Sequence, residues 1–369
     1  MRRVRGVNLR NYTALASVEG ARMRPSVHSH RPFFDETADL LESLDTSAWE
    51  DITGRTQEWW RGSSPSPPPL LRLIVSKSRS LAFCFHGVPL RPEEVDMTFN
   101  ASASISETMR GEWNGGGVHT IHVWEDQWLS DRGLVESRIR SVMGKTRRIG
   151  ARTMGVRRIN ETVLRKFLMK NHMNAAVKAR YKYGLFADKG EGDLLAVASF
   201  SGMRKFGRYL PGESPVKESR SHELIRHCSE QGISVLGGLS KFLKAFERDT
   251  RAEDVVTFSC CDWSDGTNYE ALGFTVLEKQ APYCFWVCNE DTRRTYERQL
   301  PDYLFDEFQN TLESKYASGF FPNWHKVRRN NSQVTDPVAK KVFVEFMVSK
   351  GYFPIHTAGT LKMVRIVKR

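Results

Sequence analysis

The sequence contains no CxxC pair. Its six cysteines, Cys84, Cys228, Cys260, Cys261, Cys284 and Cys288, follow no zinc-binding spacing. They read as reduced thiols, mostly core filler, in an intracellular protein, and no metal site is expected from them. No run of about 18 apolar residues is present, which excludes a membrane-spanning helix from the reading. A signal-peptide core is also missing. Acids are absent from the start of the chain: none precedes Glu19 in MRRVRGVNLRNYTALASVEGARMR. That composition reads as a disordered basic tail or, alternatively, as a transit peptide for an organelle such as the mitochondrion.

What is present is length, apolar mass and positive charge. The 369 residues are 40% hydrophobic and 11% aromatic, enough for two or three domains with real cores. The formal net charge is +12, and the excess is concentrated. Between Arg132 and Arg220 there are 21 lysines and arginines against seven acids. Such an imbalance favours a polyanionic partner, because each phosphate neutralised releases counterions.

The pattern predicts an α/β (α+β) chain. Residues 1–69 read as a basic, largely disordered N-terminus with one short helix near TADLLESLDTSAWEDI. They end in the Pro-rich spacer GSSPSPPP. Over 70–130, LLRLIV and SLAFCF read as paired strands. ASASISETMRGEW reads as a helix and VHTIHVW as a third strand, making a small α/β module. A basic linker helix is expected over 131–152. Over 153–289, a helix at VLRKFLMKNH, a hairpin of YKYGLFA with LLAVASFSG, and alternating strands and helices read as a mixed-sheet domain. Residues 290–369 read as a C-terminal helical tail.

Two stretches carry candidate chemistry. In ISVLGGLSKFLKAF, Gly237 and Gly238 join a strand to a helix, freeing backbone N–H groups for an anion, with Lys241 one turn in. A phosphate or coenzyme A contact and a simple packing turn both fit. In CDWSDGTNYEALGF, Trp263 and Tyr269 flank a turn and are candidates for base stacking or for packing beneath the loop. His119 and His122 stand three apart on a strand, face opposite sides, and read as structural.

Together AVASFSGMRKFG, HELIRHCSEQGISVLGGLSKFLKAF, DWSDGTNYEALGF and APYCFWV resemble the C-terminal domain of phage homing-endonuclease-like proteins, a domain similar to the GNAT acyltransferase fold. The resemblance extends to HTIHVWEDQWLSDRGLVESRIRSVMGKTRRIGAR, similar to the linker of those proteins, including its Glu125-Asp126 pair, and to FMVSKGYFPIHTAGTLKMV near the end. It implies a preceding module similar to very-short-patch-repair nucleases, whose strand pair carries an Asp and a Glu for a catalytic metal. Here Arg72 or Leu73 stands at the first position and Cys84 at the second, with Thr98 near an expected His. Glu93, Glu94 and Asp96 match no pattern. Cys and Arg do not supply the oxygen ligands that Mg²⁺ needs, so the nuclease centre is expected to be degenerate, with Mg²⁺ only if it is active.

The leading expectation is a nucleic-acid-binding protein, with DNA expected in preference to RNA. Arg147, Arg148, Arg157, Arg158, Lys182, Arg204, Lys205, Arg226 and Lys241 are the expected phosphate contacts. One alternative is an N-acyltransferase using acetyl-CoA, with Tyr269 as general acid, although SVLGGLS departs from the usual coenzyme A signature. Another is a basic structural component of an RNA–protein assembly.

Overall fold

The computed structural model describes residues 30–46, 49–55, 70–89, 101–111, 115–174, 176–190, 192–208, 216–288, 292–315 and 337–367. The N-terminal segment 1–24, the spacer 62–69, and Glu93, Glu94, Asp96 and Thr98 lie outside the described residues. The α+β class is observed, with helices packed on several separate sheets.

The first sheet has the order β1 (Trp49–Asp51), β2 (Leu71–Ser76), β3 (Leu81–His86), β4 (His119–Trp124). β1 to β3 are antiparallel neighbours, while β4 runs parallel to β3. Helix α2 (Ala101–Gly111) lies in the β3–β4 connection, as a parallel pair requires. One face of the sheet packs Ile74, Phe83, Phe85, Ile121 and Val123 against α1 (Arg31–Leu44). The other packs Leu71, Leu73 and Cys84 against Ile105 and Met109 of α2. With both faces covered, β3 is buried throughout and reads as a continuous apolar run. Residues 31–55 therefore belong to this module. The short helix expected near TADLLESLDTSAWEDI is present as α1 but starts earlier, at Arg31, because Phe33, Phe34, Leu40, Leu41 and Leu44 give it a complete apolar face.

Short helix α3 (Glu125–Ser130) and α4 (Arg132–Val142) lead from the first sheet to the second. Asp131 caps α4 by accepting from the Leu134 N–H (3.2 Å). Strand β5 (Arg147–Gly150) and edge strand β6 (Gly155–Arg158) follow, then α5 (Glu161–Asn171). The main sheet is built from β6, the hairpin β7 (Tyr181–Phe186) and β8 (Leu194–Phe200), β10 (Val216–Ser229), β12 (Asp254–Cys260), β17 (Thr360–Ile366) and β13 (Thr275–Gln280). β9 (Arg204–Arg208) pairs with the start of β10. Helix α6 (Gly238–Thr250) lays Phe242, Leu243, Ala245 and Phe246 on this sheet. Phe246 stacks on Phe200 with ring centroids 4.0 Å apart, and each fully buried aromatic contributes about 2–3 kcal/mol.

The expected helical tail is corrected. β17 threads between β12 and β13, pairing antiparallel with both. β14 (Cys284–Cys288) leaves the main sheet for a three-stranded one with β15 (Arg294–Tyr296) and β16 (Tyr352–His356). Helices α7 (Asp302–Lys315) and α8 (Pro337–Ser349) cover Trp286 of that sheet. Strand pairings across 70 or more residues leave no trace in local periodicity, so 290–369 resembled a tail.

Candidate functional site

Strands β5 and β6 and the turn between them gather four of the expected phosphate contacts. β5 pairs in parallel with β11 (Ile233–Leu236), which places Arg147 opposite Ile233 and Arg148 opposite Ser234. β6 is the outermost strand of the main sheet, with Arg157 opposite Gly184 and Arg158 opposite Tyr183. All four arginines are exposed, and none has an acid within 4.0 Å among the described residues. The Arg157 guanidinium lies over the Phe186 ring (4.1 Å), and that of Arg158 over Tyr181 and Tyr183 (4.9 and 4.8 Å). Aromatic faces hold these cations in place without neutralising them. Arg165 and Lys166 on α5 are likewise exposed and free of acids.

The other expected contacts are committed elsewhere. Lys182 pairs with Glu161 (3.3 Å) and donates to the Ala179 carbonyl (2.7 Å). Arg204 pairs with Glu223 (2.8 Å). Lys205 lies opposite Arg220 in the ladder, and its side chain is outside the described residues. Arg226 donates to the Ile225 carbonyl, and burial lowers its pKa from the usual arginine range. Lys241 donates to the carbonyls of Ala151 (2.8 Å) and Met154. Its ammonium thus ties α6 to the β5–β6 turn, leaving Gly237 and Gly238 without the expected cation. Gly237 sits at φ +77°, a left-handed conformation, which explains the glycine there.

For Trp263 and Tyr269, packing beneath the loop is the alternative that their surroundings fit. Trp263 is 8% exposed, packs into the core of the first module and carries the Arg138 guanidinium on its ring (4.9 Å). Tyr269 sits edge-on to Phe274 (5.5 Å), and burial raises its hydroxyl above the ordinary tyrosine value. Its loop is held by neighbours distant in sequence, which no local pattern reveals.

Beside them, β10 and β12 part company. They pair in parallel only over Ser221–Leu224 and Asp254–Thr257. Beyond that, β10 stays with β8 and β12 with β17. Arg138 of α4 lies near Cys260, Tyr269 and Cys228, groups on both sides of this opening.

The two acids at the end of the first sheet, Glu125 and Asp126, are buried and both engaged. Glu125 accepts from His30 Nδ1 (2.6 Å) and from the Val88 N–H (3.0 Å). Asp126 accepts two bonds from Arg294 of β15 (2.5 and 3.0 Å), so Asp126 ties the first module to the sheet of β14, β15 and β16. Arg72 is held by Asp51 (2.7 Å), and Leu73 and Cys84 face each other in the core. His119 lies 3.8 Å from Asp265 and shares nothing with His122.

His122 instead meets partners the sequence reading missed. Its Nδ1 is 2.9 Å from His86 Nε2, and its Nε2 is 2.7 Å from Ser106 Oγ on α2. Cys84 completes the group: the ligand-type atoms of Cys84, His86 and His122 all lie within 4.8 Å of one another. Burial holds His86 well below the ordinary histidine value and His122 at about 3. Both rings are therefore neutral near pH 7. The alternation Cys84-x-His86 on a strand was the available signal, since residues two apart share a face.

No helix among the described residues is long and apolar enough to cross a membrane. No protein-family model matches the chain, and no curated protein is significantly similar in sequence. Among solved structures, a bacterial toxin is 15% identical, with 34% of this chain and 82% of that one aligned at a TM-score of 0.25. Malonyl-CoA decarboxylases from Rhodopseudomonas palustris and Agrobacterium vitis are 11% and 12% identical, covering 59% and 58% of this chain, each at a TM-score of 0.25. This chain spans about three-fifths of the decarboxylases' length (61% in both cases). Likenesses at that score carry no argument about fold or activity.

Proposed function

We propose that the chain is a nucleic-acid-binding protein that grips a phosphate backbone, of DNA in preference to RNA, with the exposed arginines of strands β5 and β6. The observation that carries this reading is the set Arg147, Arg148, Arg157 and Arg158, exposed on one short stretch of chain and paired with no acid among the described residues. An exposed cation without a partner costs little in the free protein and is available to a polyanion. The first module contributes no cleavage in this reading. Leu73 and Cys84 stand in its apolar core where carboxylates would be needed to hold Mg²⁺.

The acetyl-CoA-dependent alternative draws on the parting of β10 and β12, but Arg138 and Trp263 pack there. Nothing in the described fold favours a structural role in an RNA–protein assembly over direct binding. Fluorescence anisotropy with a labelled DNA duplex and the matching RNA duplex tests the proposal. Binding to DNA that weakens steeply with added salt is expected, with RNA the weaker ligand. Absence of binding to both at low salt would remove the reading, and measurable heat on titrating acetyl-CoA would favour the alternative.

A further inference from the structure

We propose that Cys84, His86 and His122 bind one divalent transition-metal ion of the zinc class, through one thiolate and two imidazole nitrogens. The site is built by sheet geometry. Strand alternation puts Cys84 and His86 on the same face of β3, and the parallel register sets His122 of β4 directly beside Cys84. These three groups converge without help from any loop. Their relative exposures are 0%, 2% and 0%, so the position is closed to bulk water.

The surroundings are those of a ligand set. A ligating histidine generally donates its second ring nitrogen to a fixed acceptor, which sets the tautomer and aims the first. Ser106 Oγ stands 2.7 Å from His122 Nε2, leaving Nδ1 to face His86. His86 is held flat against Trp124, with ring centroids 4.3 Å apart and planes 19° from parallel. The two facing nitrogens are 2.9 Å apart. At metal–nitrogen distances of about 2.0–2.1 Å that separation subtends roughly 90°. A tetrahedral ion needs about 3.4 Å, so the rings would part by about 0.5 Å on binding. Charge also balances. The Asp262 carboxylate, 2% exposed, acts electrostatically on Cys84, so thiolate and carboxylate together would offset a divalent ion. Sulfur and imidazole select zinc, cobalt or nickel over magnesium or calcium. In a buried position the ion would staple β3 to β4 and stabilise the fold.

The test uses the full chain, stripped with a chelator and titrated with Co²⁺ and then Zn²⁺. One equivalent of Co²⁺ should bind, with a thiolate-to-cobalt charge-transfer band that Zn²⁺ bleaches. Zn²⁺ should raise the melting temperature of the wild type by about 5 °C. Cys84→Ala should abolish the band, His86→Gln and His122→Gln should each weaken Co²⁺ binding at least 100-fold, and Cys288→Ser should change nothing. Circular dichroism of each variant separates lost ligation from lost folding. The proposal is overturned if folded wild type binds less than a tenth of an equivalent, or if the band survives in Cys84→Ala. Because the first criterion needs no variant, a misfolding substitution cannot shield it.

Discussion

The first module and strands β5 and β6 treat charge in opposite ways. In the first module, Glu125, Asp126, His86 and His122 are all buried, and each is met by a named partner. On β5 and β6, Arg147, Arg148, Arg157 and Arg158 are exposed, with no acid within 4.0 Å among the described residues. A buried charge must be paired because desolvation is expensive, and the pairing then fixes structure. An exposed cation needs no partner to be tolerated, so its lack of one leaves it available for binding. The contrast separates residues that hold the molecule together from residues that are free to act.

The largest effect expected from this comparison is at Arg294. Replacing it with Ala strands the Asp126 carboxylate in the interior, and stability should fall by about 3 kcal/mol in urea denaturation. Substituting Arg147 and Arg148 together should leave the urea midpoint unchanged. Equal losses from the two changes would break the distinction.

Acid should act next, through buried histidines. Burial holds His122 at about 3 and His227 at about 4. Burial, with Arg226 and Arg138 nearby, holds His172 at about 3. Folded-state values below the ordinary 6.5 mean that their contribution is complete above pH 6.5 and lost as pH falls toward 4. Asp262, pushed up to about 6 by burial, acts in the opposite sense, its contribution being lost as pH rises from about 4 through 6. Three groups outweigh one, so the urea midpoint should be lower at pH 5 than at pH 7.5. An unchanged midpoint would show that these rings do not stay neutral inside the fold.

Lys241 sharpens the comparison most finely, because its sequence context suggests binding and its contacts suggest structure. Lys241→Met removes the donor to the Ala151 and Met154 carbonyls. It should cost about 1–2 kcal/mol of stability while leaving DNA affinity within twofold, read by denaturation and anisotropy on the same preparation. A large affinity loss at unchanged stability would return Lys241 to the binding face.

Much of this organisation was legible in the sequence. Short apolar runs bounded by turn residues announced β2, β3, β7, β8 and β12, and the apolar spacing of Phe242, Leu243 and Phe246 announced α6. The basic stretch holding the four free arginines was visible from composition alone. Other features depend on who stands opposite whom. Whether an arginine is free or paired is decided by Glu161 beside Lys182 or Glu223 beside Arg204, and neither neighbour is predictable from spacing. Trp263 looks exposed in a polar loop, yet it reaches the core of the first module. The Cys84-His86-His122 group was split between strands 36 residues apart and appears only once β3 and β4 are in register.

The central claim is that the exposed arginines of β5 and β6 are the phosphate contacts, and the salt dependence of DNA binding tests it most directly. Anisotropy titrations across a range of salt concentrations should compare wild type with Arg147→Ala/Arg148→Ala/Arg157→Ala/Arg158→Ala. The account predicts that the variant keeps its fold, binds at least tenfold more weakly, and has a log–log salt slope shallower by about 3 to 4. An identical slope in the two proteins would contradict it, because the phosphate contacts would then lie elsewhere.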